Sequence, residues 1–274
     1  MLRAEGIRVT FGGVCAVDGV SVALAGDELL GLVGPNGSGK TTFLNAVCGV
    51  VPAKGELTVA DRPVGLGKPR AAWDAGIARV FQAPQTFEEL ACIENVLLSS
   101  ADQGLRGLTG AWLARPAMWQ REKARWRAAH EALELVGLSR FAQDKAALLT
   151  YGQRRLLELA RAVVGEPKVL LLDEPSAGLN DGETAELSDR LVAIRGQGVA
   201  VLVVDHKVDF LDVVCDRIVV LELGRVIAEG RPEVVWNDAR VMSAYLGVPE
   251  EAVEAADAGV DAAAVEAAAV AEGA

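Results

Sequence analysis

Cysteine is scarce in this chain, and its few copies are scattered. Cys15, Cys48, Cys92 and Cys215 lie too far apart for paired zinc or redox spacing, so buried, reduced thiols in a cytosolic protein are the expectation. Long apolar runs are missing as well. Hydrophobic residues make up 51% of the chain and the mean hydropathy is +0.26. Yet no run approaches the roughly 18–20 residues that span a bilayer. The opening Met1–Gly6 lacks the apolar centre of a signal peptide. A basic excess is also absent. From Glu250 onward there are seven acids and no Lys or Arg, so of the formal net charge of −11 the preceding body carries −4. That balance argues against general nucleic-acid binding by charge. Nothing in the Ala/Glu/Val-rich residues 249–274 demands burial, and this tail is expected to be disordered.

What is present centres on Gly34-Pro35-Asn36-Gly37-Ser38-Gly39-Lys40-Thr41-Thr42, which fits G-x-x-x-x-G-K-[ST]. An apolar stretch, Glu28–Val33, precedes it with strand length. Phe43, Leu44, Ala46 and Val47 follow with the spacing of a helix's buried face. Strand, glycine turn and helix aim backbone N–H groups at phosphate oxygens, with the positive end of the helix dipole behind them. Lys40 would reach the β- and γ-phosphates and the Thr41 hydroxyl would hold Mg²⁺. Ahead of the loop, Gly6–Thr10 and Val20–Leu24 alternate as short strands. Phe11, the only aromatic residue before the loop, is either an adenine-stacking ring or a packing residue.

Further on, Gly76–Phe81 reads as a buried strand ending on Gln82, whose amide can point into a site. From Glu88 to Leu148 the composition turns helical, and Pro116 is expected to begin a long helix through Leu135. Trp119 and Trp126 share a face of it and are expected to be core or a partner contact. Its cations, among them Arg121, Lys123 and Arg125, suggest a solvated face, or a face near anionic headgroups or an acidic partner. Thr150 can cap a helix over Arg154–Val164, and Gly152 leaves its first turn open to an anion. Pro167–Pro175 reads as a strand ending in two acids, and its apolar run suits a central parallel strand. Asp173 can support a Mg²⁺ shell, and Glu174 can orient and deprotonate a water. Asn180 and Glu183 form a capping box, and Val199–Val204 is a strand that ends at Asp205-His206, where ligands bind in open α/β sheets.

In that order, the phosphate loop, the Gln82 strand, Leu149-Thr150-Tyr151-Gly152-Gln153, the Leu170-Leu171-Leu172-Asp173-Glu174-Pro175 strand and Asp205-His206 resemble the ATP-binding cassette family of transporter ATPases, across roughly residues 1–248. The resemblance implies an α/β P-loop NTPase fold with an N-terminal antiparallel β subdomain and an inserted helical subdomain at about 88–164. It implies ATP and Mg²⁺ as ligands, Phe11 as the adenine stacker, Gln82 as a metal and water contact that senses the permease, Glu174 as general base, and His206 as the γ-phosphate switch. Thr150, Gly152 and Gln153 would bind ATP held by the opposite subunit. Hydrolysis would therefore need a head-to-tail homodimer, or a heterodimer with a paralogous ATPase.

Tyr151 stands where the family usually has Gly, and Asn180 where many members have Asp. Both look like the subfamily that energises uptake of branched-chain amino acids, as do Phe11–Ser21 and Ala244–Gly247. Phe81–Leu90 is also similar to urea-uptake ATPases. The resemblance thus implies an importer ATPase at the cytoplasmic face of the membrane, paired with permease subunits and, indirectly, a solute-binding protein, without nucleic acid. A lipid-export cassette is the near alternative. A soluble cassette of translation or DNA repair would normally bring a second cassette or a long coiled-coil insertion.

Overall fold

A computed structural model of the chain describes residues 1–100 and 115–246. Its centre is a six-stranded sheet in the order β10-β9-β3-β8-β7-β6. The strands are β3 (Leu29–Val33), β6 (Ile77–Val80), β7 (Val169–Asp173), β8 (Ala200–Val204), β9 (Arg217–Glu222) and β10 (Arg225–Gly230). All pairs are parallel except β9 with β10. The central strands read as unbroken apolar runs because both of their faces are covered. Leu170 and Leu172 of β7 join one core, while Val169 and Leu171 join the other.

One face carries α1 (Lys40–Val47) and an antiparallel sheet, order β2-β1-β4-β5, of β1 (Leu2–Phe11), β2 (Val14–Leu24), β4 (Lys54–Val59) and β5 (Arg62–Pro63). β1 starts earlier than its alternation suggested. Leu2 and Ala4 are buried in one phase, Ile7 and Val9 in the other. A register irregularity between Ala4 and Ile7, with Gly6 at φ 59°, absorbs the extra residue. Beyond β5, α2 (Pro69–Asp74) leads into β6.

The other face carries α3 (Cys92–Ser99), α4 (Arg115–Leu135) and α5 (Tyr151–Val163), packed on one another through residues such as Ile93, Leu133 and Leu157. α6 (Asp181–Arg195), α7 (Val208–Val214), α8 (Pro232–Val235) and α9 (Ala239–Leu246) complete the described elements. Two expectations change here. Trp119 is 71% exposed and Trp126 38%, which removes the core reading and leaves that of a partner contact. Among the described side chains of α4, the buried ones lie in its second half, at Ala129, Ala132 and Leu133. Of the cysteines, Cys92 and Cys215 are buried, but Cys15 is exposed on β2. The acidic tail expected to be disordered lies outside the described residues.

Candidate active site

The phosphate loop runs from the end of β3 to the start of α1, and its glycines are required by close contacts. Gly34 sits at φ 145°, and a Cβ there would lie 2.0 Å from the Leu221 carbonyl oxygen. Gly39, at φ 104°, would place one 2.4 Å from the Ala16 oxygen. Gly39 is also the N-cap of α1, so no side chain caps the helix and no acid occupies its first turn. Its early amides remain available to an anion. The Lys40 ammonium is folded back into the loop, donating to Gly34 O at 2.7 Å and Pro35 O at 3.0 Å. Burial pushes its pKa down from the usual lysine range, while Glu174 and then Asp173 pull it back up. Ser38 Oγ is buried without a hydrogen-bond partner, which is costly unless a further acceptor or donor meets it. Asn36 and Gly37 are exposed, Pro35 and Thr42 half-buried, and the Thr41 hydroxyl lies in the exposed first turn of α1.

The acids come from the carboxyl end of β7. Asp173 is buried and accepts a hydrogen bond from Arg79 Nη2 at 2.6 Å; the same guanidinium donates to Asn45 Oδ1 at 2.5 Å. Arg79 thereby joins β6, β7 and α1. One residue further, Glu174 adopts φ 49°, a left-handed conformation uncommon for a side chain that is not glycine. Its amide donates to Val204 O at 2.7 Å. The turn sets the Glu174 carboxylate between two groups: Gln82 Nε2 donates to Oε2 at 2.5 Å, and His206 Nε2 lies 3.3 Å from Oε1. Three residues from three strand ends thus meet around one carboxylate.

Asp205, buried beside them, accepts from Ser176 N and Oγ (3.0 and 2.8 Å) and from His206 N and Lys207 N (2.7 and 3.1 Å). It binds the loop after Glu174 to the loop that carries His206. Neither Arg79 nor Asp205 was assigned a role from the sequence. Buried charge at a strand end beside a phosphate loop is the signal that points to both.

Thr150, Gly152 and Gln153 open α5 elsewhere. Thr150 Oγ1 accepts from Gln153 N at 3.2 Å and Gln153 Oε1 accepts from Thr150 N at 3.0 Å, a reciprocal capping box. Gly152 is buried, and a Cβ there would lie 2.6 Å from Glu183 Oε1, so its lack of a side chain admits α6; a cavity lined by Thr150, Gly152 and Gln153 reaches the same turn. Among the described residues no hydrogen bond joins this helix start to the phosphate loop. Phe11, half exposed at the end of β1, likewise makes none with it.

This geometry agrees with what the chain is similar to. A model described as ABC transporter matches residues 17–177. The chain belongs to that family. A second model, described as branched-chain amino acid ATP-binding cassette transporter, matches residues 225–251. The high-affinity branched-chain amino acid transport ATP-binding protein LivG of Salmonella typhimurium is 37% identical, with 90% of this chain and 98% of that protein covered. BraF of Pseudomonas aeruginosa, of the same description, is 34% identical over the same shares. A crystal structure of the ADP conformation of an ATP-binding cassette superposes with a TM-score of 0.77 at 30% identity, covering 90% and 98%.

This cassette is an ATPase and its fold is that of the P-loop cassettes. It works on ATP with Mg²⁺. The residues fit these ligands: the loop holds an uncapped helix start, a buried Ser38 hydroxyl without a hydrogen-bond partner and the Lys40 ammonium. Hard oxygen donors at Thr41, Gln82 and Asp173 suit magnesium. Among the described residues no helix is long and apolar enough to cross a membrane.

Proposed function

We propose that this cassette is the ATP-hydrolysing subunit of an importer of branched-chain amino acids, acting as a head-to-tail dimer beneath membrane permease subunits at the cytoplasmic face. The Glu174 carboxylate, held between Gln82 and His206, carries the catalytic reading. The C-terminal family match and the names of the relatives support the cargo. Cargo itself is not read from the site, because a cassette meets ATP and permease rather than the transported solute.

In this reading the loop amides and Lys40 hold the β- and γ-phosphates, and Lys40 exchanges its carbonyl partners for phosphate oxygens. Phe11 stacks on the adenine. Thr41, Gln82 and Asp173 hold magnesium, which when bound neutralises charge on the phosphates. Glu174 takes a proton from the water whose oxygen attacks the γ-phosphorus, and ADP leaves. His206 orients the γ-phosphate and shares the Glu174 carboxylate. Thr150, Gly152 and Gln153 offer their helix start to the nucleotide of the opposite protomer, Gly152 also letting α6 pack beneath it. Beside Gln82, a groove of about 670 Å³ lined by Trp73, Phe81, Leu98 and Arg161 offers the permease a contact that the glutamine can sense.

The test is transport. The chain is expressed with the permease that co-purifies with it, and uptake of labelled leucine and labelled urea is followed in membrane vesicles. ATP-dependent leucine uptake is expected; urea uptake alone would replace the cargo, and co-purification with ribosomes or DNA would replace the transporter reading.

A further inference from the structure

Tyr245 lies near the end of α9, 211 residues from Gly34, yet its hydroxyl accepts a hydrogen bond from the Gly34 amide at 2.8 Å. The next carbonyl along the chain, that of Gly34 itself, accepts from Lys40 Nζ at 2.7 Å. Gly34 is therefore held on both sides, by the C-terminal helix through its N–H and by the loop lysine through its C=O. The Leu221 oxygen closes a third side, at 2.0 Å from where a Cβ would sit. A glycine at φ 145° has wide torsional freedom, and this is where the loop most needs external restraint.

The tyrosine is itself anchored. Its ring meets Trp236 edge-on, with centroids 6.4 Å apart and planes at 80°. Trp236 Nε1 in turn donates to Asp212 Oδ1 of α7 at 2.5 Å. The α7 helix begins two residues after His206. Burial pushes the phenol above its ordinary pKa, the Gly34 amide opposing it, so the hydroxyl stays protonated at neutral pH.

We propose that Tyr245 is a positioning residue for the phosphate loop. Its hydroxyl fixes the Gly34 end of the loop from the C-terminal helix, so that the Lys40 ammonium is held in place for the phosphates of a nucleoside triphosphate. The inference rests on reading Lys40 and the loop amides as the phosphate cradle. It assigns the C-terminal segment a part in nucleotide affinity as well as in packing. A ring that only filled space would be served equally by phenylalanine, and that difference is measurable.

Tyr245→Phe keeps the ring against Trp236 and removes the one acceptor. In the full-length chain without nucleotide, amide exchange in the peptide spanning residues 33–40 should accelerate while the remaining peptides keep wild-type protection. Affinity for fluorescent ATP and ADP analogues should fall about three- to tenfold, the loss of one hydrogen bond. KM for ATP should rise by a similar factor with kcat little changed. Lys40→Ala is measured beside it. Unchanged exchange and affinity in Tyr245→Phe, with Lys40→Ala weakened, would overturn the tether alone; unchanged affinity in Lys40→Ala would overturn the cradle and the inference with it. Faster exchange throughout the Tyr245→Phe chain would make the hydroxyl a general structural contact and also overturn the proposal.

Discussion

The Arg79 guanidinium lies 2.6 Å from the Asp173 carboxylate, with the two side chains only 6% and 8% exposed. The pair joins neighbouring parallel strands directly under the site, and Arg79 reaches across to Asn45 on the phosphate-loop helix as well. Such a pair need not stabilise the fold relative to an apolar one, but breaking it leaves a charge buried without compensation. Its two halves can therefore be separated by mutation.

Arg79→Ala should destabilise the protein by about 3–5 kcal/mol. Arg79→Met combined with Asp173→Asn should recover most of that loss. Urea melts of the three proteins measure it. A single variant as stable as the wild type would mean that water reaches the carboxylate and the pair carries no such weight.

Glu174→Gln replaces the carboxylate that Gln82 and His206 share with a neutral amide of the same shape. Turnover should fall at least 100-fold, roughly what loss of a general base costs. ATP-dependent dimerisation, followed by size-exclusion chromatography with light scattering, should persist. Hydrolysis within a few-fold of wild type would remove Glu174 from the role of base.

Asp205→Asn is close to isosteric and isolates one contact. Oδ1 can still serve Ser176 Oγ and the amides of His206 and Lys207, but an NH₂ would now face the Ser176 amide. A donor set against a buried donor costs about 1–3 kcal/mol. A matching shift in the urea midpoint is expected, together with lower turnover as the His206 loop loosens. Full activity in a destabilised variant would confine Asp205 to the fold.

Thiol reactivity follows from burial. Cys15 is exposed, whereas burial raises the Cys92 thiol to about 11 and pushes Cys215 higher still, nearby acids adding to both shifts. A raised pKa leaves little thiolate near pH 8. A disulfide reagent at that pH should therefore modify Cys15 quickly and half-buried Cys48 slowly, with Cys92 and Cys215 reacting only after unfolding. Rapid reaction at either buried position would show that the segment around it opens readily.

How much of this was legible beforehand depended on how far apart the partners lie in the chain. The phosphate loop, the helix cap at Thr150, the capping box at Asn180 and the apolar run of β7 are made by residues within a few positions of one another. Local sterics, hydrogen-bond valence and hydrophobic period decide such features, so sequence alone determines them. The motifs could also be recognised in order, which carried the family. It did not say which groups would touch. Arg79 and Asp173 are 94 positions apart, and they meet because the sheet order sets β6 beside β7. Gly152 reads in the sequence as an opening for a ligand, and that Glu183 packs against it depends on where α6 lies. Trp119 and Trp126 share a face, but which half of α4 is buried depends on where α3 and α5 lie. Tyr245 reaches Gly34 only because the chain returns, through β10 and two short helices, to the end of the sheet where β3 emerges. A periodic pattern records what each segment buries; only tertiary packing decides against what, because the partner is chosen by strand order and helix placement rather than by neighbours along the chain.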